Sequence, residues 1–118
     1  MSQPRQLDHP LYALLHNDDV KGFNAKKPKD AEVDMSGGDF RGLDLRNLDT
    51  EGVNFTDAYF RGADLRGLDL RKAKIEGASL AHAQISGTYF PVELTADEIL
   101  MSVNFGTRLR YRTRQTEP

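Results

Sequence analysis

The sequence repeats every five residues, and this period holds without a break from residue 33 to residue 92. The sixty positions divide into twelve units, of which the first four read VDMSG, GDFRG, LDLRN and LDTEG. An α-helix repeats every 3.6 residues and a strand every two, so neither alone produces a period of five. Each unit must therefore combine a short extended piece with a corner. A chain built from such units is predicted to be a solenoid.

The third residue of each unit is large and apolar, with the exception of Thr50. In an extended triplet the first and third side chains point to one side and the middle one to the other. If four units complete one coil, residues twenty apart lie above one another, and three coils enclose a narrow apolar shaft. The predicted core ladder consists of Met35, Phe40, Leu45, Phe55, Phe60, Leu65, Leu70, Ile75, Leu80, Ile85 and Phe90.

The last two residues of each unit predict the centre of a β-turn. Glycine or asparagine occupies the second of these positions in eight units, where a type II turn needs a positive φ. The other four units carry Asp57, Lys72, His82 and Val92 there. For these four corners we expect a geometry closer to type I.

The units resemble those of the pentapeptide-repeat family, which run small residue, Asp or Asn, Leu or Phe, and two further residues. The second positions that carry the resemblance are Asp34, Asp39, Asp44, Asp49, Asn54, Asp64 and Asp69. The resemblance implies an all-β solenoid, a right-handed quadrilateral β-helix, here of about three coils. The sequence departs from the family pattern at bulky first positions such as Leu43 and at second positions such as Tyr59 and Lys74.

Segments on both sides of the repeats are predicted to close the solenoid, because its ends would expose unpaired backbone and the apolar shaft. Residues 1–32 form an N-terminal capping helix and linker, with leucines at helical spacing within residues 10–21 and a polar connector over residues 22–30. Residues 33–92 form the β-helix.

Residues 93–118 are predicted to begin with a second capping helix. Thr95 and Glu98 fit a capping box, and Gly106 marks the end of the helix. After Gly106, arginines alternate with Leu109 and Tyr111, which predicts a strand with one basic face.

The sequence offers little for catalysis or metal binding. Its 118 residues suit one small domain, and it has no cysteine. His9, His16 and His82 lie in unrelated segments and do not have the spacing of metal ligands. The regularly placed aspartates are interpreted as turn acceptors rather than as an acidic site. We therefore expect no enzyme, no cofactor, no metal and no small-molecule substrate.

Arginines form a second patterned set of charges. Arg41 and Arg61 are twenty residues apart, as are Arg46 and Arg66, so each pair is expected to stack one coil apart. Such a patch could bind carboxylates or phosphates, although pairing of each arginine with a neighbouring aspartate is favoured. The candidate interaction residues are Arg41, Arg46, Arg61, Arg66, Arg71, Arg108, Arg110, Arg112 and Arg114.

The leading functional hypothesis is a non-enzymatic protein–protein interaction module with an unknown protein partner or a second copy of the chain. The family resemblance implies, as an alternative, a DNA mimic that modulates DNA gyrase. This alternative is not favoured, because three coils are short and the wall carries arginines instead of a strongly negative surface. The second alternative is arginine-mediated binding of nucleic acid or another polyanion. No signal peptide or membrane-spanning stretch is evident, so we expect a cytoplasmic protein without a membrane partner.

Overall fold

A computed structural model describes residues 3–112 of the chain. Its helices and strands are, in chain order, α1 Pro10–His16, α2 Val20–Lys26, β1 Val33–Asp34, β2 Val53–Asn54 and α3 Ala96–Phe105.

The chain winds so that it returns above itself every twenty residues. Strands β1 and β2 are parallel, with Val33 opposite Val53. The same offset recurs in isolated parallel bridges at Asp39–Tyr59, Asp44–Asp64, Asn54–Lys74, Tyr59–Ser79, Asp64–Gln84 and Asp69–Tyr89. Each extended piece is only about three residues long, so little of this pairing forms regular strands. Four five-residue units therefore complete one coil, with coil 1 at residues 33–52, coil 2 at 53–72 and coil 3 at 73–92.

We number the four sides of the coil in chain order. Side 1 contains residues 33–37, 53–57 and 73–77; side 2 contains 38–42, 58–62 and 78–82; side 3 contains 43–47, 63–67 and 83–87; side 4 contains 48–52, 68–72 and 88–92.

The corners are β-turns. The N–H of each new unit donates to the carbonyl three residues earlier, as from Val53 to Thr50 at 3.0 Å. The expected glycine and asparagine positions have φ between 69° and 81°: Gly37, Gly42, Asn47, Gly52, Gly62, Gly67, Gly77 and Gly87. Asp57 and His82 also have positive φ, 60° and 56°, so the expected type I-like corner is wrong there. Aspartate can enter this region through local side-chain hydrogen bonding. At Lys72 the corner closes without a positive φ.

One corner offers a matched test of the positive φ, because Gly62 and His82 occupy it in successive coils. We expect Gly62→Ala to lower the free energy of unfolding by about 1–2 kcal/mol through backbone strain alone, since an added Cβ meets no atom within 4 Å. His82→Gly relieves the same strain and should stabilise the protein by about 0.5–1 kcal/mol after the entropy of glycine is subtracted. Urea unfolding midpoints measure both changes. A lower midpoint for His82→Gly would contradict the argument.

The apolar shaft is filled mainly by third-position side chains. Phe40 and Phe60 stack with ring centroids 5.4 Å apart, and Phe55 meets both rings edge-on. Buried members of the predicted ladder are Met35, Phe40, Leu45, Phe55, Phe60, Leu65, Leu70, Ile75 and Leu80. Ile85 and Phe90 are only partly buried. Thr50 is buried as well, and its hydroxyl donates to the carbonyl of Asp69 at 2.5 Å.

The N-terminal end differs from the sequence prediction. A single helix within residues 10–21 and a polar connector over 22–30 were expected, whereas α1 and α2 are separated by a turn with φ of 58° at Asp18. Asp19 caps α2 by accepting from the N–H of Gly22 at 2.8 Å, and Phe23 is fully buried. The lysines made this segment look solvated. One of them, Lys27, is buried because its ammonium donates to the carbonyl of Glu51.

At the C-terminal end, α3 begins at the Thr95 cap and ends at Gly106, whose φ is 74°. As far as residue 112, the strand expected after Gly106 is reduced to one antiparallel bridge between Ser79 and Arg108. This segment is extended and packs on its own solenoid, with Leu109 buried. The bridge is short because the edge of coil 3 that it meets is itself only about three residues long.

Candidate interaction surface

The outer surface of coils 1 to 3, which we call the lateral wall, carries arginines at the fourth position of the units. Four of these arginines form hydrogen bonds with the aspartate two residues before them. In each case the arginine backbone N–H and Nε donate to Oδ1, and Nη2 donates to Oδ2. The pairs are Asp39–Arg41, Asp44–Arg46, Asp64–Arg66 and Asp69–Arg71. For Asp44 and Arg46 the side-chain bonds measure 2.9 and 2.7 Å. The five-residue unit repeats this geometry, since it places the aspartate before the corner and the arginine within it. We call these pairs the Asp–Arg forks.

The forks shift the ionisation of their carboxyl groups. Hydrogen bonds from the arginine side chain lower the pKa of Asp44 and of Asp69 to about 2, from a usual value of 3.8. The same cause lowers the pKa of Asp39 and Asp64. Arg46 also lies 3.3 Å from Asp64, so one guanidinium links coil 1 to coil 2. At these four positions the wall therefore presents paired charges that balance one another.

The forks predict a loss of stability in acid. A carboxyl group whose pKa is lower in the folded state stabilises the fold above its unfolded pKa, and this contribution is lost as the pH falls through the folded pKa. For Asp44 and Asp69 the window runs from the usual value of 3.8 down to about 2. We expect the urea midpoint of the protein to fall across this window. Asp69→Asn should be less stable at neutral pH and should change less between pH 4 and 2. A wild-type midpoint that is constant from pH 5 to 2 would contradict this prediction.

Arg61 differs from the other wall arginines, because Tyr59 stands where its aspartate would be. Its side chain is exposed and makes no ion pair within residues 3–112. Of the four guanidinium groups in the predicted patch, those of Arg41, Arg46 and Arg66 form ion pairs with aspartates. The fourth, that of Arg61, is an exposed cation. Pairing with a neighbouring aspartate, the arrangement favoured by the sequence, is what the structure shows for Arg41, Arg46, Arg66 and Arg71.

The C-terminal arginines attach their segment to the solenoid. Arg108 donates to the hydroxyl of Tyr59 at 2.6 Å and to the carbonyl of Gly77 at 2.9 Å. Arg110 forms a two-bond ion pair with Glu98 of α3, at 2.8 and 3.1 Å. The backbone N–H of Arg112 donates to the carbonyl of Glu93 at 2.8 Å, whereas Arg114 lies outside the described residues.

The C-terminal segment continues the hydrogen bonding of the coils over sides 1 and 2. Four N–H groups of coil 3 that point away from coil 2 donate to this segment at 2.7 to 3.0 Å. On side 1, Ile75 donates to the Tyr111 hydroxyl and Gly77 to the Leu109 carbonyl. On side 2, Leu80 donates to the Ser102 hydroxyl and His82 to the Val103 carbonyl. Ser102 is fully buried, and its hydroxyl also donates to the Thr107 carbonyl. This cap replaces a fourth coil on two of the four sides.

Among residues 3–112, nothing covers sides 3 and 4 of coil 3 in this way. In coil 2 the corresponding N–H groups of Leu65, Gly67 and Leu70 donate to the carbonyls of Gln84, Ser86 and Tyr89 at 2.7 to 3.0 Å. In the described part of the chain, the N–H groups of Ile85, Gly87 and Phe90 have no protein acceptor. Within residues 3–112, the last coil is therefore left without hydrogen-bond acceptors on two of its four sides.

Sides 3 and 4 of coil 3 are uncharged, and exposed apolar side chains lie on them and on the neighbouring α3. Residues 83–92 contain no charged side chain, whereas sides 3 and 4 of coils 1 and 2 carry nine. The large exposed apolar residues of the described chain are Tyr89, Val92, Leu100, Met101 and Phe105, with Val92 84% and Phe105 80% exposed. We call these five residues, together with Ile85 and Phe90, the open end.

Sequence reasoning placed the candidate surface on the arginines and missed the open end. One signal was present, namely that the charges at the second and fourth positions disappear after residue 76 of the repeats. Which sides the C-terminal cap covers depends on its tertiary path, and the repeat pattern does not specify that path.

Residues 3–112 contain no group of three His, Asp or Glu side chains arranged to hold a metal ion. Among the described helices, none is both long enough and apolar enough to cross a membrane.

Comparison with known proteins agrees with the coil geometry. The family model described as pentapeptide repeats, eight copies, matches residues 54–90. No curated protein and no solved structure matches the chain. The matched segment covers most of coils 2 and 3, in which the twenty-residue pairing, the corners and the ladder all recur. Pentapeptide repeats imply a quadrilateral β-helix, and residues 54–90 of this chain belong to the pentapeptide repeat family.

Proposed function

We propose that the chain is a non-enzymatic protein–protein interaction module and that the open end is its contact surface. The observation that carries the proposal is the position of the exposed apolar side chains, which in residues 3–112 all lie at this end of the solenoid. Exposed apolar clusters beside an unpaired sheet edge are typical of surfaces that bind another protein.

We also infer that the whole of residues 33–92, and not only the matched 54–90, forms a right-handed quadrilateral β-helix of three coils. The twenty-residue pairing that begins at Val33 and Val53 and ends at Asp69 and Tyr89 supports this extent. The family resemblance supports the hand. Residues 1–32 and 93–118 then serve as the two capping segments. A crystal structure of the chain would decide both the extent and the hand.

The two alternatives draw less support from the lateral wall. A guanidinium group that is bonded twice to an aspartate keeps three of its five N–H donors, but its charge is already balanced by the carboxylate and attracts a phosphate less. An aspartate neutralised in this way likewise adds little to the strongly negative surface that a DNA mimic requires. The Asp–Arg forks therefore weigh against both polyanion binding and imitation of DNA.

The polyanion alternative predicts retardation of DNA in a gel, with an affinity that falls steeply as salt rises. We expect no retardation of duplex or single-stranded DNA at low ionic strength. Retardation that is abolished by Arg61→Ala would support the alternative instead. Inhibition of supercoiling by purified DNA gyrase at stoichiometric amounts of the protein would support the DNA-mimic interpretation.

The proposed surface can be tested by affinity capture from an extract of the native host at low salt. The full chain is compared with Val92→Glu and Phe105→Glu, which add a charge to the open end without removing a buried side chain. Ala25→Glu, an exposed position in α2 at the opposite end, is the control for charge. The proposal requires a protein that is retained by the wild type and the control and lost by both open-end variants. Retention by all four proteins would place the contact elsewhere.

A further inference from the structure

We infer that side 2 of the lateral wall binds a carboxylate side chain of a protein partner, and that Arg61 is the residue that holds it. This contact shares no residue with the open end, so it adds a second surface to the proposed function. Three observations support it: the donors that Arg61 leaves unused, the direction of the Tyr59 side chain and the charge on each side of the coil.

Three donors of the arginine converge on one carboxylate in every Asp–Arg fork. The backbone N–H and Nε of Arg41 donate to one oxygen of Asp39 at 3.1 and 2.8 Å, and Nη2 donates to the other oxygen at 2.9 Å. The corresponding bonds of Arg66 measure 3.2, 2.9 and 2.7 Å. An arginine at the fourth position of the unit therefore presents a backbone donor and one edge of its guanidinium group to a single carboxylate.

Arg61 has the same donors but no aspartate two residues before it, because Tyr59 occupies that position. Among the described residues, neither its backbone N–H nor its guanidinium group has a hydrogen-bond acceptor. The side chain is exposed. The next residue, Gly62, leaves the corner bare, since a Cβ added there would meet no atom within 4 Å. A carboxylate brought by another protein would therefore find the three donors of a fork unused.

The side chain of Tyr59 is directed away from Arg61. Arg108 donates to the Tyr59 hydroxyl at 2.6 Å and to the Gly77 carbonyl at 2.9 Å, and its guanidinium group lies 3.8 Å from the carboxylate of Asp57. Asp57 and Gly77 are the last residues of side 1 in their coils, so this contact lies at the corner where side 2 begins. Arg61 lies at the corner where side 2 ends. Tyr59 therefore leaves the guanidinium group of Arg61 accessible.

Side 2 also carries the most favourable charge for a carboxylate. Its three segments contain two arginines and one aspartate, with His82 counted as neutral. Sides 1 and 4 contain more acidic than basic side chains, and side 3 contains two of each. Side 2 is therefore the one side of residues 33–92 with a net positive charge. Complementary charge of this kind steers an acidic partner to the surface.

The arrangement suits one carboxylate better than a strand of nucleic acid. Each of the other four wall arginines is balanced by its own aspartate. A nucleic acid carries a phosphate on every nucleotide and gains affinity from many basic contacts, but along this wall it would meet a single unbalanced cation. An aspartate or glutamate of a protein brings one charge and needs only one guanidinium group. The inferred ligand is therefore an acidic side chain of a protein.

Nuclear magnetic resonance titration of the full chain at constant ionic strength tests the inference. The probe is the capped peptide acetyl-Ala-Asp-Ala-amide, whose single charge is one carboxylate, and the control peptide has Asn in place of Asp. We expect the Asp peptide to shift the backbone N–H and Nε–H signals of Arg61 in a saturable titration in the millimolar range. The Asn peptide should not do so. Phe105→Glu should bind the probe like the wild type, so a failure of the open end as a contact surface would leave this result unchanged.

Two substitutions at position 59 provide matched controls. Tyr59→Asp places a carboxylate where the other units carry it, so it should complete the fork at Arg61 and abolish binding of the probe. Tyr59→Phe also loses the hydroxyl contact with Arg108 but adds no carboxylate, and it should bind like the wild type. Arg61→Gln should lose binding as well. Circular dichroism confirms folding, and Arg61→Gln carries the comparison if Tyr59→Asp does not fold.

The inference is overturned if the Arg61 signals do not move, if the Asn peptide moves them equally, or if the signals of all wall arginines move together. Undiminished binding by a folded Tyr59→Asp variant also overturns it. A short oligothymidylate that shifts the Arg61 signals when the Asp peptide does not would overturn the protein carboxylate as ligand and support the polyanion alternative instead.

Discussion

Replacement of Phe60 by alanine is expected to lower the free energy of unfolding by about 3–5 kcal/mol. Phe60 is almost fully buried at the middle of its column, with Phe40 in the coil before it and Leu80 in the coil after it. It stacks on Phe40 and contacts Phe55 edge-on, with ring centroids 5.4 and 5.3 Å away. Backbone hydrogen bonds on all sides fix the coil spacing, so the wall cannot collapse into the cavity left by the ring.

Urea or thermal unfolding measures this loss. Phe90→Ala is the matched control, because it makes the same chemical change at the same position of the unit. Phe90 is only partly buried at the open end of the shaft. Phe90→Ala should therefore lower the free energy of unfolding clearly less than Phe60→Ala does. Equal midpoints for Phe60→Ala and the wild type would show that the third positions do not form a continuous packed shaft.

The shaft and the corners could be predicted because they follow from local rules that the chain repeats twelve times. An extended triplet fixes which residues face inward, and the fifth residue of the unit needs a conformation that glycine adopts readily. Even Thr50, which breaks the apolar rule, is accommodated locally, because its hydroxyl donates to a carbonyl of the next coil. The register between coils is also fixed, because a shift by one residue would move the third-position side chains out of the shaft.

The ends could not be predicted to the same depth, because they depend on single contacts between distant segments. Lys27 reads as a solvated charge in the sequence, yet its ammonium meets the carbonyl of Glu51 and it is buried. Arg108 and Arg110 read as a basic strand face, whereas Tyr59 and Glu98 bind their guanidinium groups. Ser102 gives no sequence signal at all, although its hydroxyl accepts the hydrogen bond of the Leu80 N–H.

Deletion of residues 93–118 is expected to unfold the chain or make it associate. The deletion removes the acceptors of four outward N–H groups of coil 3 and uncovers the shaft beneath Leu94 and Leu109, which are both buried. An uncapped solenoid end exposes apolar side chains and a backbone edge that pairs readily with other chains. Light scattering and circular dichroism detect the two outcomes. A truncated chain that is soluble, monomeric and as stable as the full chain would show that the C-terminal segment is not a cap.

Ser102→Ala tests the same cap while leaving the chain complete. The change removes the acceptor of the Leu80 N–H, at 2.9 Å, and the donor to the Thr107 carbonyl, at 2.6 Å. Because Ser102 is fully buried, water cannot replace these partners without opening the cap, and we expect a loss of about 1–3 kcal/mol. Ser86→Ala, at an exposed fourth position of coil 3, is the control and should change stability by less than about 0.5 kcal/mol. Equal midpoints for the two variants would mean that α3 covers the shaft without completing the hydrogen bonding of coil 3, and the capping role would then rest on apolar contact alone.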